Sequence, residues 1–292
     1  MNNIKFAGFG WDGYTGQITR IKEGFKSLGH ELTYDNPDII FCNDPGQYVK
    51  AIQYKQKYSK AFLILNFLDI PWHFPDVLKK ITNEAKLMKM ANVVTVISQK
   101  VKKDLSGFYE GKIEIIYNPI KDVEYNSDTK KENEFLYVGR ANDPVKRIKL
   151  AYEALKILNK ENELIICGME DPKFGKYMGV VKDDKLGELY NKSKIVLLPS
   201  KAEGLGLTMI EGMVCGSVPI VCSDNLTAKE FISNEFVAEP NPESIKNKIE
   251  EINKNYEKFH KLSLKYAEKF KIQFNKKTIA KNIIDIFSKY KK

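Results

Sequence analysis

The chain has 292 residues, 43% of them hydrophobic, and 47 Lys and Arg against 38 Asp and Glu give a net charge of +9. That length suits two domains, each with apolar residues enough for its own core. The opening Met1-Asn2-Asn3-Ile4-Lys5-Phe6 has no apolar signal region, and the longest apolar stretch, 61–72, is broken by Asn66 and Asp69, so neither secretion nor a membrane span is expected.

Cys42, Cys167, Cys215 and Cys222 are scattered through or beside apolar runs, with no C-x-x-C spacing and no metal-ligand grouping with the three histidines. They read as reduced, buried thiols of a cytoplasmic protein. The positive charge admits an anionic partner such as nucleic acid, an acidic membrane surface or a phosphorylated substrate. It is equally met by a lysine-rich solvated surface, because the lysines spread over most of the chain.

In chain order, short apolar runs alternate with amphipathic stretches. Strands are expected over 4–7, 31–34, 38–42, 61–65, 93–97 and 113–117, with helices over 18–28, 75–90 and 99–108. Such β-α-β alternation points to a parallel sheet, and the first domain ends near Ile120. Residues 121–133 are polar and without period, as in a linker. A second series over 134–274 has strands at 135–138, 164–167, 195–198 and 218–221 and helices at 149–158, 185–191, 209–214 and 242–256, a second doubly wound domain. In the tail, Ile279, Ile283, Ile286 and Phe287 recur at helical spacing among lysines, which predicts a docked amphipathic helix from Asn275.

The strongest chemical signal is Glu203-Gly204-Leu205-Gly206-Leu207-Thr208-Met209-Ile210-Glu211, directly after the strand 195–198 and the turn Pro199-Ser200. Glycines let a backbone approach a ligand closely, and the unpaired amides at a helix N-terminus suit phosphate oxygens. Glu203 and Glu211 would then face one elongated ligand, carboxylates being good acceptors for sugar and ribose hydroxyls. The plainer alternative is a strand-to-helix turn whose Glu favours the helix dipole. A second cluster, Gly139-Arg140-Ala141-Asn142-Asp143-Pro144-Val145-Lys146-Arg147, leaves the first strand of the same domain. Ligands of open α/β sheets bind at the carboxyl ends of the strands, so Arg140 and Lys146 would converge there with the Glu203 loop, unless they are ordinary solvated charge.

With these residues in place, the sequence resembles family 4 of the retaining glycosyltransferases over nearly its whole length. The resemblance rests on the glycine-rich loop from Gly10 to Gly16 before a helix ending in Leu28-Gly29-His30-Glu31, on the run 91–98, and on Tyr117-Asn118-Pro119-Ile120. More specific are Val138-Gly139-Arg140 with Lys146, Leu189-Tyr190 through Leu198-Pro199-Ser200, Glu203 and Glu211 with seven residues between, and Gly216-Ser217-Val218-Pro219-Ile220-Val221. The resemblance implies the GT-B architecture: two Rossmann-like doubly wound domains, an acceptor-binding one over 1–120 and a nucleotide-sugar-binding one over 134–274. An interdomain donor cleft and a closing helix, 275–292, that crosses back to the first domain complete it.

By the same resemblance the enzyme is a metal-independent hexosyltransferase that takes a UDP- or GDP-sugar as co-substrate and has no cofactor. Arg140 and Lys146 would hold the donor diphosphate, Glu203 the transferred sugar and Glu211 the ribose, with Gly204, Leu205, Gly206, Leu207 and Thr208 giving backbone contacts and Gly13 and Gly16 completing the donor site. Front-face attack, with the leaving phosphate oxygen taking the acceptor proton, would need no protein base. Fixed cations beside that leaving group would lower the barrier on general grounds as well. Where the family often carries a His, the chain reads Asn66-Phe67-Leu68-Asp69-Ile70-Pro71, which leaves Asp69 as the acceptor-side candidate; His73 and His30 read as loop and helix-end residues. No D-x-D triplet occurs and Asp183-Asp184 looks like a helix start, so no catalytic metal is expected.

The acceptor would be a glycan, a lipid-linked molecule or another hydroxyl compound. Lys79, Lys80, Lys86 and Lys89 beside Leu78, Ile81, Leu87, Met88 and Met90, followed by Lys100, Lys102 and Lys103, also suit peripheral association with the anionic inner face of a membrane. An amphipathic helix packed on its sheet explains them equally. Among other readings, Gly8-Phe9-Gly10-Trp11-Asp12-Gly13 with Asp35 matches a dinucleotide fingerprint, although bulky Trp11 would crowd a pyrophosphate. A sugar-nucleotide epimerase or phosphorylase would share the GT-B plan with a different reaction. Nucleic acid is not an expected partner, since no helix-turn-helix, zinc knuckle or RRM-like core is present in the sequence.

Overall fold

The computed structural model describes residues 3–10, 16–68 and 77–291, with 77–81 and 133 described by backbone alone. The chain divides into two compact units, Met1–Pro119 with Gln273–Lys292, and Ile120–Ile272.

Unit 1 alternates β1 (Lys5–Phe9), α1 (Gln17–Ser27), β2 (Glu31–Leu32), β3 (Ile39–Cys42), α2 (Tyr48–Lys57), β4 (Phe62–Phe67), α3 (Val77–Met88), β5 (Val93–Val96), α4 (Gln99–Leu105) and β6 (Ile113–Ile115). Its sheet is parallel throughout, in the order β2-β1-β3-β4-β5-β6. Every residue of β3, β4 and β5 is buried, the mark of a parallel strand covered on both faces. The sequence pattern missed α2, because Tyr48, Ala51 and Ile52 are its only buried residues and leave too thin an apolar stripe.

The helix expected in the tail forms as α10 (Lys276–Tyr290), and it belongs to unit 1. Asn275 caps it by accepting from the Lys277 amide. Ile279, Ala280, Ile283, Ile284, Ile286 and Phe287 are buried in one cluster with Phe6, Phe25, Phe41, Phe62 and Ile64, where the Phe6 and Phe25 rings stack at 3.8 Å. Each large side chain so buried contributes roughly 1.5–3 kcal/mol. Around the rim, Lys276 pairs with Glu23 at 2.9 Å, while Glu114 accepts from Lys289 and Tyr290, each at 2.6 Å.

Unit 2 comprises β7 (Asn133–Val138), α5 (Ile148–Ile157), β8 (Leu164–Cys167), β9 (Lys176–Tyr177), α6 (Asp183–Lys192), β10 (Ser193–Leu198), α7 (Leu207–Val214), β11 (Val218–Cys222), β12 (Val237–Ala238), α8 (Pro242–Lys254) and α9 (Tyr256–Gln273). The strands run parallel in the order β12-β11-β10-β7-β8-β9. Two-residue strands such as β9 and β12 carry no periodic signal. The long helix α9 was also missed, since its inner face mixes Phe259 and Phe270 with the small Ser263 and Ala267. Those small residues permit close packing: the Ser263 hydroxyl donates to the Ser217 carbonyl at 2.6 Å.

All four cysteines are free and buried. Burial pushes the Cys42 and Cys215 thiols up to about 12 and those of Cys167 and Cys222 up to about 11, so they are inert at neutral pH. Among the described residues, no helix is long and apolar enough to cross a membrane.

Gly24 marks the tightest part of the α1–α10 contact, where a Cβ would lie 2.2 Å from the Lys276 carbonyl oxygen. Gly24→Ala should therefore destabilise the protein by about 1–3 kcal/mol despite the better helix propensity of alanine. Thermal unfolding checks this, and an unchanged or raised midpoint would show that α10 does not pack this closely.

Candidate functional site

In unit 2 the chain leaves β7 toward β8 and β9 on one side of the sheet and leaves β10 toward β11 and β12 on the other. β7 and β10 are themselves neighbours, so their carboxyl ends flank the point where the winding reverses, the place where open α/β sheets bind ligands. The two loops singled out in the sequence, after β7 and after β10, meet there. A backbone bond from the Lys201 amide to the Val145 carbonyl, 2.9 Å, ties them together. Gly168, after β8, lies so near that a Cβ would sit 2.0 Å from the Gly139 carbonyl oxygen.

Lys146 and Glu203 are brought into contact. The ammonium donates to both carboxylate oxygens, at 2.7 and 2.8 Å, with the side chains only 19% and 13% exposed. Such a charge-assisted, partly screened pair is worth more than a surface ion pair. Arg140 lies on the same loop but is half exposed and donates to Asp143 at 2.6 Å; among the described residues no hydrogen bond joins it to the Lys146–Glu203 pair. Beneath it, Tyr137 donates to the Arg140 carbonyl, and burial holds its phenol well above the usual range.

Gly206 precedes α7 in the left-handed region, φ 81°, and gives the helix no side-chain cap. The helix therefore begins without a side-chain acceptor for its first amides. Gly204, Leu205, Leu207 and Thr208 lie on this turn, with the Leu205 side chain buried. Glu211 has a different setting from Glu203. It is 3% exposed, and its two oxygens accept from the Lys121 amide at 3.1 Å and the Tyr190 hydroxyl at 3.2 Å. Burial and that carboxylate hold the Tyr190 phenol far above its ordinary range.

Arg147 was not singled out in the sequence, yet it makes the densest set of bonds at these strand ends. Its two terminal nitrogens donate to the Asp224 carboxylate at 2.8 and 2.7 Å, and its Nε donates to the Pro199 carbonyl at 3.0 Å. Its backbone is left-handed, φ 50° and ψ 29°, just before α5, which costs a non-glycine residue roughly 1–2 kcal/mol. The sequence offers only an Arg after a Lys as a signal; its partner Asp224 is 77 residues away.

Unit 1 has a comparable point between β1 and β3, where β2 lies to one side and β4 to the other. Gly16 initiates α1 in the left-handed region, φ 53°. Gly10 follows β1 so closely against β3 that a Cβ would lie 1.7 Å from the Asn43 side-chain oxygen. Among the described residues, that oxygen, the Asn66 side-chain nitrogen and the Gln17 side-chain oxygen are buried without a hydrogen-bond partner, as are several polar side-chain atoms elsewhere in the chain. The candidate residues Gly13 and Asp69, and also Trp11 and His73, lie outside the described residues. His30 is a helix-end residue whose Nδ1 accepts from the Ile4 amide, and Asp35 accepts from Tyr58. Among the described residues no group of three or more His, Cys, Asp or Glu side chains is placed to hold a metal ion.

The profile of one family, glycosyl transferases group 1, matches residues 121–270, more than half of the chain. The O-antigen chain mannosyltransferase RfbU of Salmonella typhimurium is 29% identical over 186 residues, covering 56% of this chain and 52% of RfbU. The chain thus spans about half the length of that relative. Among solved structures, HepE of Anabaena in complex with UDP and glucose superposes with a TM-score of 0.79 at 15% identity, over 98% of this chain and all of HepE. A glycosyltransferase from Rickettsia africae gives 0.76 at 16% identity, over 99% of both chains. These likenesses establish the GT-B fold of two Rossmann-like domains, and nothing in them supports the dinucleotide reading of the first glycines. By the match across unit 2, the chain belongs to the glycosyl transferases group 1 family.

Proposed function

We propose that the protein is a retaining glycosyltransferase that moves a hexose-type sugar from a UDP- or GDP-sugar to a hydroxyl of a glycan or lipid-linked acceptor. The observation that carries this reading is the Lys146–Glu203 pair at the winding reversal of unit 2, beside the uncapped start of α7. One cation, one carboxylate and a set of helix amides match a ligand that has a diphosphate at one end and sugar hydroxyls at the other. When the donor binds, its diphosphate takes Lys146, and Glu203 is released to accept from a hydroxyl of the sugar. Arg140 adds a second cation by turning from Asp143. Glu211 accepts from the ribose.

In the transfer, the bond from the anomeric carbon to the diphosphate oxygen breaks as the acceptor oxygen bonds to the same carbon and face. The acceptor proton passes to the leaving diphosphate. Negative charge grows on that leaving group, where Lys146 and the α7 amides are already oriented and need no reorganisation. The acceptor belongs to unit 1, where Asn43 lies against Gly10 and where Asn43, Asn66 and Gln17 hold buried polar atoms without partners among the described residues. RfbU, named as an O-antigen chain mannosyltransferase, and HepE, solved with UDP and glucose, accord with a glycan acceptor and a nucleotide-sugar donor.

Lys146→Ala and Arg140→Ala should each lower turnover by about 10²–10³-fold while the protein stays folded. Glu203→Ala should chiefly lower kcat. Glu211→Gln should chiefly weaken donor affinity, measured as the KM for the sugar nucleotide. Transfer is scored as nucleoside diphosphate released only when acceptor is added, which also separates it from epimerase or phosphorylase chemistry; near-wild-type turnover in Lys146→Ala would remove the diphosphate assignment.

Metal independence belongs to the same proposal, because Lys146, Arg140 and the helix amides supply the positive field at the diphosphate. Excess EDTA should leave the initial rate unchanged. Loss of activity restored by Mn²⁺ or Mg²⁺ would overturn it.

An anionic membrane surface is the proposed setting for a lipid-linked acceptor. Lys86, Lys89 and Met90 are exposed at the end of α3 and just beyond it, while Ala85 and Met88 on the same helix are buried. Acidic vesicles should retain the protein at low salt and release it at high salt, whereas neutral vesicles should not bind it. Failure to co-sediment with acidic vesicles at low salt would favour a soluble acceptor.

A further inference from the structure

We propose that Arg147 is a positioning residue whose guanidinium, held between Asp224 and the Pro199 carbonyl, fixes the Glu203 loop against the Lys146 loop. Three strand ends meet at this one side chain. Arg147 stands on the connection after β7, Pro199 directly after β10, and Asp224 just beyond β11. Only three residues separate Pro199 from Glu203, and the Lys201–Val145 backbone bond lies between them. Freedom at Pro199 is therefore freedom at Glu203.

The left-handed turn at Arg147 explains how adjacent cations take opposite tasks. It swings the chain into α5, so Lys146 reaches Glu203 while Arg147 reaches back to Asp224 and Pro199. A glycine would adopt this backbone without strain. Retaining an arginine there makes sense if its side chain repays the conformation. An ordinary surface ion pair would not do so, but this one uses the planar fork of guanidinium on both carboxylate oxygens and a third bond to a carbonyl. A lysine could not reproduce it.

The kinetic part of the test rests on the donor-site reading given above; the exchange part does not. In Arg147→Gly the backbone is relieved and only the clamp is lost, so the unfolding midpoint should stay within a few degrees of wild type. Hydrogen exchange over residues 199–206 should quicken about tenfold or more in this variant, with α5 and β8 unchanged. Unchanged exchange in that segment would overturn the proposal whether or not the protein proves to be a transferase.

In the kinetic part, kcat should fall about ten- to a hundredfold with the donor KM within about threefold, since misplacement of about 1 Å is felt most in the transition state. Asp224→Asn should behave alike, Arg147→Lys should not rescue, and the double variant Arg147→Gly/Asp224→Asn should be no slower than either single one. Wild-type kcat in Arg147→Gly, or losses that multiply in the double variant, would refute the positioning role. Titration of wild type with UDP and GDP separates the two readings. If neither binds, the donor-site assignment fails, and the exchange result alone decides the clamp.

Discussion

The pairing of β7 with β10 is the constraint on which the rest of unit 2 depends. These strands are separated in sequence by α5, β8, β9 and α6, yet adjacent in space, and the chain departs from them in opposite directions. Two connections therefore leave their carboxyl ends without covering the space between. A helix that crossed over this point would bury it; the reversal leaves it open. Within unit 2, every group proposed for donor binding stands on one of those two connections or on the helix that follows β10. The chemistry of the site is local to the loops, but their meeting is a property of the sheet.

Parallel sheets impose a second constraint, which is that both faces must be covered. Unit 1 meets it with a segment from the far end of the chain. Helix α10 supplies Ile279, Ile283, Ile284 and Phe287 to a core shared with β1, β3, β4, α1, Val93 of β5 and Ile116, and Gly24 admits it at a distance that no side chain would allow. Unit 1 thus draws on both ends of the sequence. Its folding is of high contact order, since residues about 250 apart must meet before this core is complete.

Electrostatics separate the two glutamates that the sequence presents as a pair. Glu203 faces Lys146 on a loop, where the proposed donor diphosphate would exchange with it. Glu211 is enclosed and already satisfies a backbone amide and a buried tyrosine, so losing it would strand both donors as well as any ribose contact. The same spacing of seven residues across a helix start puts one carboxylate outside the helix and the other on its inner side. Elsewhere some of the charge forms short-range pairs such as Lys194–Glu134 and Lys121–Asp183, and the lysines spread over most of the chain, so the excess of nine positive charges does not by itself mark a ligand face.

The sequence by itself determined the two series of alternating strands and helices, the tail helix and the loops that carry the chemistry, because apolar period and glycine placement are local signals. Ile195 to Leu198 followed by Pro199, Glu203 and Gly206 reads as strand, turn and helix start without reference to anything distant. It did not reveal α2 or α9, whose buried faces are thin or built of Ser263 and Ala267, nor the two-residue strands at each edge of the second sheet. What only the tertiary structure decided is who meets whom. Lys146 and Glu203 are 57 residues apart, and Arg147 and Asp224 are 77 apart. No period in the sequence encodes either contact; both follow from the order in which the strands β7, β10 and β11 are laid side by side.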